Sequence, residues 1–490
     1  MSHQDRPLPL VINHQTIKQV LDWLLPSTVF AHLRGGRMAT WKPRLLAATA
    51  VLWATAELST LHERFAQARQ IITKVFRWQL APGVSYQGFM KMLSQWQDKL
   101  LAAVVPQLRE QMQAVEQAQW ETAGYAVFAG DGSRVALPRT AALEAAFAPR
   151  RRPRRKARRR ARTGTRRQPR APRRNPAAAR RPRPRQPATA RHKTATSPQL
   201  WLTLLWHVGS GLPWAWRTGP SGASERDHLL AMVPELPAQA LVVADAGFVG
   251  YDFWQALLTA GHHFVIRVGA NVRLVRQLGW TREHAQVVYL WPDQAARKRQ
   301  PPLVLRLVVV HDGKQPVYLV TDLAAACLSD RHVATIYTAR WGIEVFFRTF
   351  KQTFGCRKLR SRSARNAQLE LDWALVGLWG VCLLGTRELS AGGHEPTQLS
   401  PAAVLRAFHR TLREYRVRPA TSADTLWAQL RLARRDEYRR RAAKTSREYP
   451  RKKQRPPIGI PQITRATPHQ IALAYALQHQ EEGEEFRLSA

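Results

Sequence analysis

Four polar residues fall at helical spacings within one short segment: Tyr337, Arg340, Glu344 and Lys351. At 100° per residue, with Tyr337 set at 0°, Arg340 lies at about 300°, Glu344 at about 340° and Lys351 at about 320°. Phe346, Phe350, Ile343, Phe354 and Phe347 lie between about 180° and about 280°. One helix face is therefore apolar. The next presents a phenol, a guanidinium, a carboxylate and an ammonium in a row. A solvated face with an i,i+4 ion pair between Arg340 and Glu344 would give the same stripe. Two more carboxylates bear on the choice. Asp131 closes the apolar run "YAVFAGDGS" and Asp245 closes "ALVVADAGF", each beside glycine. A strand-end aspartate alone is commonly a turn former or a helix cap. Sites in open α/β sheets nevertheless gather at the C-terminal ends of strands.

Three converging carboxylates repel one another and demand cations. Oxygen ligands of this kind suit Mg2+ or Mn2+. Two such ions, roughly 4 Å apart, can activate a water or a 3′-hydroxyl and stabilise the leaving oxygen of a phosphodiester. Arg340 and Lys351 stand one to two turns from Glu344 and could hold nucleic-acid phosphates.

The elements that must position these residues follow from periodicity. Residues 10 to about 118 read as a helical bundle, with Pro106 expected to kink or end its third helix. "YAVFAGDGS" reads as a short strand ending at Asp131. "LWLTLLWHV" and "LPWAWRT" read as two strands joined by a tight turn, and "DHLLAMVPEL" as a short helix. "ALVVADAGF" has the continuous apolar pattern of a strand covered on both faces. "YDFWQALLTAG" is a helix and "HHFVIRV" the next strand, an alternation that argues for parallel pairing. Residues 270–322 hold three strands, "QVVYLWP", "PLVLRLVVVH" and "PVYLVTDL", and read as an antiparallel β insertion. A helix from about Asp330 ends at Gly355, a candidate C-cap glycine, and a second runs roughly from Ala364 to Arg387. After Gly392 the chain reads as a basic, mostly helical tail.

Composition narrows the partners. Lys and Arg total 76 against 34 Asp and Glu, a net charge of +42. Residues 150–193 carry 21 basic residues and no acidic one, half of that excess. Nucleic acid is the leading polyanion for such a chain. At 45% hydrophobic residues the chain as a whole is not disordered. The Arg/Pro/Ala-rich tract lacks apolar periodicity and reads as disordered when unbound. Cys327, Cys356 and Cys382 form no C-x-x-C pair, so neither a zinc ribbon nor a disulfide framework is supported. The N-terminus shows no secretory leader. The longest apolar run, Trp373 to Gly385, is short of a membrane span. A soluble, intracellular, basic protein with no membrane partner is expected.

"YTARWGIEVFFRTFK" fits the Y-(2)-R-(3)-E-(6)-K signature of the insertion-sequence-4 family of bacterial DDE transposases. "VVADAGFVG" resembles that family's second-aspartate motif and "GDGSRVALPRT" its first. The resemblance covers roughly residues 125–385. It implies an α/β fold class with an RNase H-like core, a mixed sheet flanked by helices, carrying a β-rich insertion. It implies Asp131, Asp245 and Glu344 as catalytic, metal-binding carboxylates for two Mg2+ or Mn2+ ions. Tyr337, Arg340 and Lys351 would contact DNA phosphates near the transposon end. Trp291 or Trp280 is a candidate to stack on a flipped base, or is a core tryptophan. The implied activity is cut-and-paste transposition by hydrolytic nicking and 3′-hydroxyl strand transfer, through a hairpin in studied relatives.

On this basis residues 1–120 are a helical N-terminal DNA-binding domain and 121–390 the DDE catalytic domain, which contains the tract 150–193 and the insertion 270–322. Residues 391–490 are the basic helical C-terminal region. The expected partners are transposon-end and target DNA and a second copy of the chain in a synaptic complex. Three other functions fit part of the pattern: an inactive or domesticated DNA-binding derivative, an RNase H-like nuclease, and a basic RNA-binding protein. The tract 150–193 departs from the family pattern. It could be a DNA-binding arm, a basic run without function, or a stretch read out of frame in a GC-rich gene.

Overall fold

The structure is a computed structural model that describes residues 14–33, 41–76, 84–115, 119–148, 197–312, 315–413, 425–435 and 458–488. The basic tract at 150–193 lies outside the described residues. Four helices come first: α1 (His14–Leu24), α2 (Pro43–Thr55), α3 (Leu61–Val75) and α4 (Tyr86–Val115). Then follow β1 (Glu121–Thr122), β2 (Tyr125–Ala136), α5 (Ala141–Phe147), β3 (Gln199–His207), β4 (Leu212–Pro220) and α6 (Glu225–Leu230). The chain continues through β5 (Leu241–Ala244), α7 (Tyr251–Thr259), β6 (His263–Val268), β7 (Arg273–Arg276), β8 (Val287–Leu290), α8 (Asp293–Arg297), β9 (Leu303–Asp312) and β10 (Gln315–Thr321). It closes with α9 (Asp330–Ala339), α10 (Trp341–Arg348), α11 (Ala364–Ala391), α12 (Pro401–Arg413), α13 (Leu426–Arg431), β11 (Gln462–Arg465) and α14 (Pro468–Leu488).

The strands form one mixed sheet, ordered β11-β7-β8-β9-β10-β6-β5-β2-β3-β4, with β1 paired to β2. β2, β3 and β4 are antiparallel neighbours, whereas β5 and β6 run parallel to β2. All four residues of β5 are buried, as a central strand covered on both faces requires. The β-rich stretch joins this same sheet, because β10 pairs antiparallel with β6. β7 and β11 were not legible as strands in the sequence. They pair in parallel, so the C-terminal region adds a strand at the sheet edge.

Three expectations need correction. β2 does not end at Asp131 but runs on to Ala136, because β3 keeps pairing with it as far as Ala136 opposite Gln199. Of the two outcomes expected at Pro106, a kink or an end, the helix does not take the second: α4 continues through it. The expected single helix over 330–355 is divided at Arg340 into α9 and α10 and finishes in a π-helical turn, Thr349–Thr353. The Phe354 N–H reaches back to the Thr349 carbonyl at 2.9 Å, one residue further than in an α-helix. Gly355, at φ 77°, ends the segment in the left-handed region that glycine favours.

α11 is long and apolar enough to cross a membrane by length and composition, but its apolar stretch is wholly buried inside the protein. It lies between the sheet and the N-terminal helices. On one side Trp216 Nε1 of β4 donates to Asp372 at 2.8 Å. On the other, Gln97 of α4 donates to Asp372 and accepts from Trp373 Nε1. Gly377 lets α2 approach: a Cβ there would stand 2.9 Å from the Thr55 methyl. Trp373 and Trp379 are fully buried; each large apolar side chain removed from water contributes about 1.5–3 kcal/mol.

His207, at the end of β3, packs under the Trp120 ring with centroids 4.0 Å apart. Its Nδ1 accepts from the Ser210 N–H, so Nε2 carries the proton and donates to the Trp120 carbonyl at 2.9 Å. Burial pulls its pKa down to about 4. An unfolded histidine titrates near 6.5, so the unfolded chain takes up the proton first as pH falls. Stability from this group is therefore full above about pH 6.5 and lost as pH falls toward about 4, by on the order of 3 kcal/mol. Denaturant unfolding at several pH values should show that slope in the wild type and a flatter one in His207→Gln.

Candidate active site

Strand register brings the two aspartates together. Gly130 of β2 pairs with Ala244 of β5, and the strands are parallel. The next residues along each, Asp131 and Asp245, therefore stand side by side where β5 stops. β5 stops there because the Asp245 side chain accepts the Gly247 N–H at 2.8 Å and opens a tight turn. Asp131 accepts the N–H of Gly132 at 2.8 Å.

The glycines around Asp131 have a packing role. A Cβ on Gly130 would stand 2.8 Å from Leu229, and one on Gly132 would stand 2.8 Å from the Glu225 carboxyl. Both positions turn toward α6. Side chains alternate along a strand, so Asp131 turns to the opposite face, where α10 packs on β2.

α10 delivers Glu344 and Arg340. Its seat on the sheet depends on Gly342, where a Cβ would lie 2.0 Å from the Trp206 ring. Ile343, Phe346, Phe347 and Phe350 are buried, so the expected apolar face is the core face. The Arg340 guanidinium is 3.7 Å from Glu344 and 5.3 Å from the Tyr337 ring centroid. Arg340 is only 6% exposed, and its Nε has no partner among the described residues. Within the π turn, Lys351 donates to Ser133 Oγ, two residues beyond Asp131.

The charges feel one another. Burial pushes the Asp131 carboxyl up to about 6; Gly132 and Arg340 oppose that rise, while Asp245 and Glu344 add to it. Lys351 is lowered by burial against the pull of Asp131. Asp131, Asp245, Glu344, Arg340 and Lys351 thus share one locality. Tyr337 joins it only through Arg340. Of the two tryptophans, Trp291 is a core side chain, 3% exposed, with Nε1 bonded to the Gln300 carbonyl. Trp280 is half-buried and its carbonyl is tied to Gln478 of α14.

One neighbour escaped sequence reading. Glu225, the first residue of α6, is pushed up to about 7, chiefly by burial and then by Asp131 and Asp245. Its only signal in the sequence is a position just after Ser224, which caps α6 by accepting the Asp227 N–H. The donor set is all oxygen and suits a hard divalent ion. Among the described residues, however, no three acidic, histidine or cysteine side chains converge into a ready-made cage.

The family model described as a transposase DDE domain matches residues 135–378, about half of the chain. That span contains Asp245, Tyr337, Arg340, Glu344 and Lys351; Asp131 lies just before it. Residues 135–378 thus match a transposase DDE domain, and the chain is similar to transposases of insertion sequences. It is 27% identical over 198 residues to the transposase InsG for insertion sequence element IS4 of Escherichia coli (strain K12), covering 39% of this chain and 43% of that protein. It is 24% identical over 163 residues to the putative transposase y4zB of Sinorhizobium fredii (strain NBRC 101917 / NGR234), covering 31% and 45%. The match spans less than half the length of either curated relative. Among solved structures, a piggyBac transposase synaptic complex with hairpin DNA aligns over 90% of this chain and 87% of that one. The TM-score is 0.34 and the identity 12%, so the fold description rests on the strand order itself.

Gly342→Ala should force α10 off Trp206, at a cost on the order of 1–3 kcal/mol. A denaturation curve reads that loss.

Proposed function

We propose that this chain is a DNA transposase that binds the terminal inverted repeats of an insertion sequence, cuts DNA there and joins the freed 3′-hydroxyl to a target. The observation that carries this reading is the register of Gly130 with Ala244, which sets Asp131 beside Asp245 within the electrostatic reach of Glu344. In a chain of net charge +42, a half-buried acidic cluster with one arginine at 3.7 Å is a feature that needs cations. The strand order β4-β3-β2-β5-β6, antiparallel through β2 and parallel beyond it, supports an RNase H-like core.

In this reading Asp131, Asp245 and Glu344 hold two Mg2+ or Mn2+ ions. When bound, these ions activate the attacking hydroxyl and neutralise the leaving oxygen. Arg340, buried against Glu344, reaches a phosphate only at the carboxylates themselves, so it positions the scissile group. Lys351, held by Ser133, gives a fixed positive charge for the adjoining backbone, and Tyr337 steadies the Arg340 guanidinium through its ring. Residues 1–120 recognise the ends, and two copies pair them in a synaptic complex. The protein then works at the bacterial nucleoid.

The test uses a DNA substrate with matched transposon ends, Mg2+ and purified protein. Glu344→Gln should cut slower by roughly three orders of magnitude, about 4 kcal/mol of barrier, while still shifting end DNA in a gel. Cleavage equal to wild type would refute the assignment. Nicking of any DNA without end dependence or strand transfer would point to a nuclease instead.

A further inference from the structure

Glu225 has no partner among the described residues that accounts for its position. The other buried or half-buried carboxylates show what a satisfied one looks like here. Glu235 is bonded by both Arg109 and Arg217 at 2.5 Å, and Glu388 by Arg387 at 2.7 Å. Among the described residues no lysine or arginine stands within ion-pair distance of Glu225, Asp131 or Asp245. The nearby Arg134 lies instead over the Trp201 ring, 4.8 Å from its centroid.

The backbone makes room for this carboxyl. It occupies the space a side chain at residue 132 would fill, 2.8 Å from where that Cβ would be. It therefore lies against the strand immediately beside Asp131. The edge of β2 toward β5 is open there, since β5 ends opposite Gly130. Asp131 and Asp245 both act on the Glu225 carboxyl, so the three lie within electrostatic reach although α6 packs on the face opposite the Asp131 side chain. Ser224 fixes the start of α6 through its cap, so Glu225 is presented from a defined turn. An unpaired, half-buried carboxylate next to two like charges costs free energy unless a cation offsets it.

We propose that Glu225 is a fourth metal-binding carboxylate of the site, closing the shell of a divalent ion from the α6 face. This rests on the reading of Asp131, Asp245 and Glu344 as a metal site. It assigns Gly132 a purpose: a side chain there would displace the fourth ligand.

The test is Mn2+ binding to the full chain, followed by electron paramagnetic resonance of free Mn2+ and by the Mn2+-induced shift in melting temperature. Glu225→Gln removes one charge and keeps the shape, so the metal-free variant should fold and melt higher than wild type. It should bind at least one ion about tenfold more weakly, with a smaller Mn2+-induced shift, and Glu225→Asp should recover part of that affinity. Asp245→Asn is the control. If Asp245→Asn loses Mn2+ and Glu225→Gln binds it as wild type does, the fourth-ligand proposal fails and the three-carboxylate site stands. If neither variant changes Mn2+ binding, both fail.

Discussion

Repulsion between like charges is the constraint around which this molecule is arranged. Asp131, Asp245 and Glu344 are gathered into one half-buried place, where Asp245 and Glu344 both raise the cost of ionising Asp131. In water they would move apart. They are held together by elements whose own packing is far stronger than that repulsion: parallel strands hydrogen-bonded in register and a helix seated by four buried apolar side chains. The acidic cluster is thus a local cost carried by the sheet and by α10.

The surrounding architecture serves rigidity at that place. Gly342 brings α10 into contact with Trp206, so β3 fixes the height of Glu344 above the sheet. The division at Arg340 lets α9 and α10 each settle on the sheet, and the π turn then aims Lys351 back at Ser133. Behind them α11 fills the space between the sheet and the N-terminal helices. Its Asp372 bonds to both sides, to Trp216 and to Gln97. The helical N-terminal region and the sheet therefore share a buried wall.

Much of this was legible in the sequence because it is periodic. β5 is a continuous apolar run, and the apolar face of the 337–354 segment is the face that is buried. The Tyr-Arg-Glu-Lys spacing marked Arg340, Glu344 and Lys351 among the charged side chains that share the site's field. What was not legible depends on contacts between distant segments. The extent of β2 past Asp131 is set by β3, some seventy residues on by sequence number. The break at Arg340 leaves no mark on the helical wheel. Glu225 lies ahead of the segment read as a helix from Asp227; only the missing side chain at Gly132 relates it to Asp131. β7 and β11 are short and begin and end on charged or polar residues, so neither stands out as an apolar run as the equally short β5 does.

The opposition of scales in this chain, a strongly positive whole around a negative centre, matches a protein that attracts a polyanion by its net charge and acts on it with carboxylates. The central claim is that Asp131, Asp245 and Glu344 share divalent ions. Crystals of the chain grown with Mn2+ and measured at the manganese absorption edge test it most directly. The account predicts anomalous density between Asp131 and Asp245, within coordination distance of both. Well-ordered Asp131 and Asp245 with no anomalous density between them would contradict it.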